Sequence, residues 1–136
     1  MKKIIFLGDS GTTSNFLQAY RQAYIKASLE CFDMLKVQAL QTLKKRFKLQ
    51  SEQLSAVSVE IVLNKYRQRN LEKIKKDFII DQFYYEKSSI DEYSGIRCFI
   101  SSHMSEEKAE ELSSYFASQW APQLVNNLCL NKKKPA

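Results

Sequence analysis

Between Thr12 and Ser94 the chain contains no glycine and no proline, and this interval covers well over half of its 136 residues. Glycine supplies the positive φ of tight turns and proline ends helices, so a long interval without either residue favours continuous helix. The interval constrains the architecture more than any other feature of the sequence. It predicts a mainly α fold with few turns and long helices.

The composition predicts one domain that folds in water. The chain is 44% hydrophobic and 26% charged, as globular proteins commonly are. No segment approaches the roughly 18 consecutive apolar residues of a membrane-spanning helix. The apolar run after Lys3 ends at Leu7, which is too short for a secretory signal peptide, so we expect a cytoplasmic protein. We expect a single helical domain over residues 1–131 and a basic flexible tail over residues 132–136.

The three cysteines predict free thiols. Cys31, Cys98 and Cys129 are odd in number and far apart, and they contain no Cys-x-x-Cys pair, which argues against a disulfide framework. A zinc site built from them and His103 would lack the closely spaced ligand pairs of structural zinc sites. We therefore expect no metal and no cofactor.

The spacing of apolar residues predicts a long helical hairpin over about residues 14–85. From Phe16 onward, apolar side chains recur at intervals of three and four, which predicts a first helix over about residues 14–48. A second helix is expected to begin at Ser51. Residues 78–85 are apolar on every side, and they fit the buried end of that helix or a strand equally well.

Short strands and a C-terminal helical region complete the predicted fold. Lys3–Leu7 and Ile96–Ile100 are rich in β-branched and aromatic residues, and they can form a small two-stranded β element. Residues 88–95 have the composition of a loop. A helix is expected to open at Ser105 and to be interrupted at Pro122, which gives one or two C-terminal helices.

The charge of the chain is unevenly distributed. The net charge is +6, but residues 36–76 hold eleven basic and three acidic residues, a local net charge of +8. On the second predicted helix, Lys65, Arg69 and Lys76 fall opposite the apolar stripe. This polarity predicts an acidic partner for the middle of the chain.

The segment Gly8-Asp9-Ser10-Gly11 follows an apolar strand and resembles the first block of the GDSL hydrolases, whose serine is a nucleophile activated by a histidine. That family places an aspartate three residues before its histidine, whereas Ile100 stands there relative to His103, the single histidine. The segment also resembles a phosphate-binding loop, but Thr13 and Ser14 stand where glycine and lysine are required. We interpret it as a strand, a turn and a helix cap, and we expect no enzymatic activity.

By elimination, we predict a non-enzymatic interaction module, such as an adaptor, a chaperone-like factor or a small subunit of a larger assembly. It would dock an acidic or amphipathic protein partner through its helical faces, and its abundant aromatic residues also predict self-association. The alternative is a nucleic-acid-binding regulatory protein that uses residues 36–76. The expected partner-binding residues are Lys65, Arg69, Lys73 and Lys76 for charge, and Tyr84 and Tyr85 for apolar contact.

Overall fold

The computed structural model describes residues 2–48, 56–90 and 93–133, and its three strands form one antiparallel sheet in the order β1-β3-β2. Within the described residues it is a mixed fold of helices and strands, so the prediction of a mainly α fold with a two-stranded element is wrong. In chain order the elements are β1 (Lys3–Asp9), α1 (Phe16–Phe47), α2 (Ala56–Lys75), β2 (Ile79–Ile90), β3 (Tyr93–Ser105) and α3 (Glu106–Lys133).

The largest error falls on β2, which takes the place of the end of the predicted helical hairpin. α2 ends at Lys75, and the chain from Ile79 pairs with β3 instead of continuing the helix. A β-bulge at Asp81 shifts the register between Ile80 and Gln82, so apolar residues do not alternate cleanly along the strand. A long strand can lack glycine and proline just as a helix can. The strand that β2 pairs with, β3, is specified by residues elsewhere in the chain.

The other elements follow the sequence more closely. β1 pairs with β3 in antiparallel register, so both predicted strands exist and belong to one sheet. The predicted segments do not face each other, because Lys3–Leu7 lies opposite residues 101–105 of β3. α1 is confirmed, and Asn15 caps it by accepting a hydrogen bond from the Gln18 amide at 2.8 Å. The loop predicted over residues 88–95 is wrong for the most part, since strand pairing extends to Ile90 and resumes at Tyr93. The junction predicted near residue 51 lies outside the described residues.

The N-terminal half of α1 lies against one face of the sheet along a stripe of small residues. Ala19, Ala23 and Ala27 recur every fourth residue and are fully buried. A Cβ atom added to Gly8 of β1 would overlap the carbonyl oxygen of Ala23 and lie 2.9 Å from Ala27 Cβ. This close approach of helix and sheet therefore requires glycine at position 8.

The C-terminal half of α1 packs with α2 and α3 to form the main core. Phe116 and Trp120 of α3 are fully buried, and their rings stack with centroids 5.7 Å apart. Phe32 of α1 meets Phe116 at 6.3 Å, and Val62 of α2 belongs to the same cluster. Met104 of β3 joins this cluster from the sheet. The core thus lies on the helix-covered side of the sheet.

α3 is continuous through Pro122, whereas the sequence predicts an interruption there. Proline removes the hydrogen bond to the carbonyl four residues earlier, which belongs to Ser118. Both Ser118 and Pro122 are exposed, so water can satisfy that carbonyl and the helix can continue. α3 runs to Lys133, the second residue of the predicted tail, and residues 134–136 lie outside the described residues.

Candidate protein-interaction site

The sheet has one covered face and one open face. Side chains alternate between the faces of a strand, so even-numbered residues of β1 and β3, such as Phe6 and Ile100, point to the helices and are buried. The odd-numbered residues point the other way. We call this second surface the open face. Its large apolar members are Ile5, 64% exposed, Leu7, 66%, Ile79, 52%, Tyr84, 57%, and the half-buried Phe99.

An aromatic stack occupies the centre of the open face. The rings of Tyr84 and Phe99 lie 4.9 Å apart with an interplanar angle of 19°. The guanidinium carbon of Arg97 lies 4.8 Å from the centroid of the Phe99 ring. Tyr84 and Phe99 border a depression of about 470 Å³, which Leu7 and Ser101 also line. The centre is therefore apolar and concave, with one cation held against it.

An ion pair fixes one end of the open face. Arg97 donates from Nε to Asp9 Oδ1 at 2.7 Å and from Nη2 to Asp9 Oδ2, which makes the contact bidentate. The amide of Gly11 also donates to Asp9 Oδ1, at 2.9 Å. The bonds from Arg97 and then from Gly11 hold the pKa of Asp9 at about 2, below its ordinary value. This carboxylate stays charged across the physiological range.

A second polar pair marks the other end of the open face. His103 Nδ1 lies 2.7 Å and 2.8 Å from the two carboxylate oxygens of Asp81, so the nitrogen carries the proton and donates. The bulge at Asp81 re-aims its carboxylate toward β3, as bulges commonly do at functional surfaces. The open face thus has an apolar centre with a polar pair at each end.

The charges of the open face nearly cancel. Alternation along the strands places two basic and three acidic residues on this face, which gives a net charge of −1 with His103 neutral. The protein as a whole carries +6. The basic surplus of the chain therefore lies elsewhere. The charged members of the open face are Lys3, Arg97, Asp9, Asp81 and Glu86.

Ser10 takes a structural position. Its buried hydroxyl donates to the Gly11 carbonyl at 2.6 Å and accepts from the Cys98 amide at 2.8 Å. His103 pairs with Ile5, five residues along from Ser10, a distance of roughly 16 Å at the rise of a β-strand. Serine and histidine therefore form no catalytic pair. The resemblance to a hydrolase block reflects a turn that joins β1 to α1.

The structure separates the predicted partner-binding residues into two surfaces and a packed contact. Lys65, Arg69 and Lys76 are exposed in or just after α2. Lys73 is half-buried, with its Nζ 3.7 Å from the centroid of the Tyr115 ring. Tyr84 lies on the open face, whereas Tyr85 points to the covered face and packs against Phe16 with centroids 4.8 Å apart. The basic residues and Tyr84 do not form one site.

Sequence reasoning missed most of the open face, including Ile5, Leu7, Arg97 and Phe99. A feature that could have revealed it is present in β1, because Ile4–Leu7 is apolar at four successive positions. A strand with one solvated face alternates between apolar and polar residues, whereas a strand covered on both faces reads as a continuous apolar run. The pattern of β1 thus predicts burial on both sides.

A second concave surface lies between α1 and α2. It has a volume of about 430 Å³ and combines apolar side chains such as Tyr24 and Leu71 with the cations Arg67 and Lys75. Glu72 also lines it. Both cations belong to residues 36–76, the segment that carries a net charge of +8.

Potential metal ligands do not converge in the part of the chain that the structure describes, where no three side chains of histidine, cysteine, aspartate or glutamate are grouped to hold an ion. Cys98 lies on the covered face and His103 on the open face. Within the same residues, no helix combines the length and apolar character needed to cross a membrane.

In comparisons with known proteins, no family model, no curated protein and no solved structure matches this chain. Its function can be inferred from two features. One is the open face, and the other is the exposed surface of α2 that carries Lys65 and Arg69, which we call the basic helical surface.

Proposed function

We propose that this protein is a non-enzymatic cytosolic interaction module that docks a protein partner on the open face of its sheet. The observation that carries this proposal is the contrast within β1, where Ile5 and Leu7 are each nearly two-thirds exposed and Phe6 between them is buried on the covered face. Exposed apolar patches of this kind mark interaction surfaces in soluble proteins. An amphipathic partner could cover both residues.

The composition of the open face fits a protein interface. Interfaces are enriched in tyrosine, phenylalanine and arginine at their centre, with polar groups around them. Tyr84, Phe99 and Arg97 form such a centre, and the carboxylates of Asp9 and Asp81 lie toward its ends. Because Arg97 is already held by Asp9, it is ordered before a partner arrives, which lowers the entropic cost of binding.

Two observations favour a protein over a nucleic acid on this face. Its net charge of −1 would repel a phosphate backbone, whose binding depends on neutralisation by Lys and Arg. Tyr84 and Phe99 stack on each other at 4.9 Å, so one ring face of each is already occupied and is not available to a base.

The non-enzymatic and cytosolic parts of the proposal rest on other residues. Ser10 lies on a different face from His103, and no alternative base reaches its hydroxyl among the described contacts. Burial, and secondarily Glu30, raise the pKa of Cys31 to about 12, while burial raises the pKa of Cys98. Thiols in this state are poor nucleophiles, and they suit a compartment where cysteines stay reduced.

The test is affinity capture from lysate of the cells that make the protein, with matched variants. Leu7→Lys places a charge on the open face, while the double variant Lys65→Glu and Arg69→Glu changes only the basic helical surface. We expect a captured protein that survives nuclease and high salt, is lost with Leu7→Lys, and is retained with the double variant. Circular dichroism of each variant checks folding.

The proposal would be overturned by capture that is indifferent to Leu7→Lys, or by the absence of any nuclease-resistant partner. A purified candidate partner should then be titrated against both variants. Leu7→Lys should weaken its binding at least about tenfold, as expected for a buried charge at an interface centre.

A second candidate function is nucleic-acid binding through the basic helical surface. It is favoured by the exposure of Lys65 and Arg69 on α2 and by the cations Arg67 and Lys75 in the groove between α1 and α2. Binding of this kind should weaken steeply as salt rises, because counterions are released from the phosphates. The double charge reversal at Lys65 and Arg69 should reduce binding to both DNA and RNA, and unchanged binding would exclude this candidate.

A further inference from the structure

The two edges of the sheet differ in how their backbone groups are satisfied. At the β1 edge, the outward-pointing amide of Leu7 donates to Glu30 Oε2 of α1 at 3.3 Å. At the β2 edge, no hydrogen bond from any other described residue reaches the backbone of Phe83, Tyr85 or Lys87. Natural sheets usually protect such edges because free backbone groups invite another strand. The β1 edge thus has a backbone amide satisfied from outside the sheet, whereas the Phe83–Lys87 stretch of the β2 edge has none among the described residues.

The pairing of β3 shows which groups of β2 point outward. The Cys98 carbonyl accepts from the Ser10 amide, so Cys98 bonds on the β1 side of β3. Alternate residues of a central strand bond in opposite directions, so Phe99 bonds on the β2 side, opposite Tyr84. The amides and carbonyls of Phe83 and Tyr85 therefore point away from the sheet.

We propose that a second copy of this chain pairs with this edge, β2 against β2 in antiparallel orientation, with the two-fold axis at Tyr84. The result is a continuous six-stranded sheet with the order β1-β3-β2-β2-β3-β1. Antiparallel pairing of identical strands is compatible with the two-fold symmetry of most dimers. This inference goes beyond the docking of a partner on the open face, because the strands pair within the plane of the sheet and leave that face free.

The side chains of β2 are self-complementary in this register. Tyr84 faces Tyr84 of the second copy across the axis on the open face, and Phe83 faces Tyr85 on the other face. Gln82 faces Glu86, whose carboxylate can accept from the amide. Aromatic pairs directly across two strands are stabilising. Both outward-bonding residues, Phe83 and Tyr85, exchange backbone hydrogen bonds, which gives about four bonds across the axis.

Neighbouring registers lose this complementarity. Centring the pair on Tyr85 would set Tyr84 against Glu86 and Phe83 against Lys87, which places apolar beside charged side chains. Centring it on Phe83 would run the pairing into the bulge at Asp81. In the register centred on Tyr84, the residues that exchange backbone hydrogen bonds, Phe83 and Tyr85, lie clear of the bulge.

The surface beside the free edge is apolar, as a dimer contact requires. Phe83 is 50% exposed even though the ring of Tyr20 meets it at 5.2 Å. Leu17 lies three residues before Tyr20 on the same flank of α1 and is 59% exposed. A second copy would cover both side chains. Because the paired segment is short, we expect a concentration-dependent dimer of the size class of weak assemblies.

Disulfide trapping tests the register directly, in a background where Cys129→Ser leaves only the buried native thiols Cys31 and Cys98. Tyr84→Cys should form an intermolecular disulfide under mild oxidation, because facing residues at a non-hydrogen-bonded antiparallel position have Cα atoms about 4.5 Å apart, within disulfide range. Gln82→Cys or Glu86→Cys alone should give no cross-link. A mixture of these two variants should give a heterodimer.

The oligomeric state supplies the second measurement. Sedimentation of the wild-type chain over a dilution series from millimolar to micromolar should show dissociation, and Tyr84→Lys should abolish the dimer through like charges facing each other. Leu7→Lys should leave the dimer intact even where it abolishes partner binding, so failure of either proposal can be told from failure of the other. A wild-type chain that stays monomeric throughout overturns the proposal.

Other results also decide the question. A dimer that persists in Tyr84→Lys, or a mixture of Gln82→Cys and Glu86→Cys that fails to cross-link, would show that the copies meet through another surface. Capture of a different protein whose strand protects the Tyr85 amide from hydrogen exchange, with no dimer, would assign the edge to that protein instead.

Discussion

The two faces of the sheet have similar apolar content but different surroundings. On the covered face, Phe6 and Ile100 are buried against α1 and the helical core. On the open face, Ile5 and Leu7 are similarly apolar but exposed. In an antiparallel sheet with one solvated face, the solvated positions are normally polar. We infer that the covered face supplies most of the stability of one copy, while folding leaves an apolar surface exposed on the open face.

The most direct way to break this comparison is to truncate neighbouring residues of β1. Phe6→Ala removes a buried ring and should lower the free energy of unfolding by about 3–5 kcal/mol. Leu7→Ala removes an exposed side chain, and we expect a change within about 0.5 kcal/mol. Urea denaturation followed by circular dichroism measures both. Equal losses would mean that both faces contribute to stability within a single copy.

A second comparison concerns two glycines, Gly8, where a side chain has no space, and Gly11, where the backbone has a positive φ. Gly8→Ala should cost about 3 kcal/mol, at the upper end for overpacking, because the added Cβ meets the backbone of Ala23. Gly11→Ala should cost about 1 kcal/mol, since its φ of 68° strains any other residue although the nearest atom, Lys26 Nζ, lies 4.0 Å away. Thermal unfolding of both variants would reveal the order, and a larger loss for Gly11→Ala would contradict the close contact between α1 and the sheet.

The fold was predictable where local pattern was sufficient. The helical spacing from Phe16 is local, and the helix that it predicts is found in the structure. β2 was not predictable in this way, because the bulge at Asp81 breaks its alternation and its partner β3 is a separate strand. The absence of glycine and proline did not distinguish a long helix from a helix followed by a long strand.

The candidate site was predictable only in part. Tyr84 was selected from its aromatic cluster, and it lies on the open face. Arg97 and Phe99 belong to the open face through strand register, and register across a sheet depends on pairing that no local pattern specifies. The basic residues of α2, such as Lys65, remain a predicted surface for the second candidate function.

The ion pair at the end of the open face should give a small dependence of stability on pH. The pKa of Asp9 in the folded state is about 2, below its ordinary value of 3.8, so its contribution is present above about pH 4 and is lost as the pH falls toward 2. Asp9 and Arg97 are each more than two-fifths exposed, so solvent screening should hold the effect below about 1 kcal/mol.

Asp9→Asn tests this assignment, because the amide oxygen can still accept from Gly11 while the charge is lost. The difference in unfolding free energy between the wild-type chain and Asp9→Asn should shrink as the pH falls from 4 to 2. A difference that stays constant over this range would show that the ion pair with Arg97 does not contribute.

The smallest effect on stability, and the sharpest contrast of accessibility, should come from thiols placed on the two faces. In a Cys129→Ser background, Cys98 reports on the covered face, where burial raises its pKa, and Ser101→Cys reports on the depression of the open face. Alkylation requires an accessible thiolate, so the thiol at position 101 should react at least about a hundredfold faster than Cys98. Urea should remove the difference, and a bound partner should protect position 101 alone.

Equal rates in the native chain would mean that the covered face opens as readily as the open face, and the distinction between a packed face and a docking face would then fail.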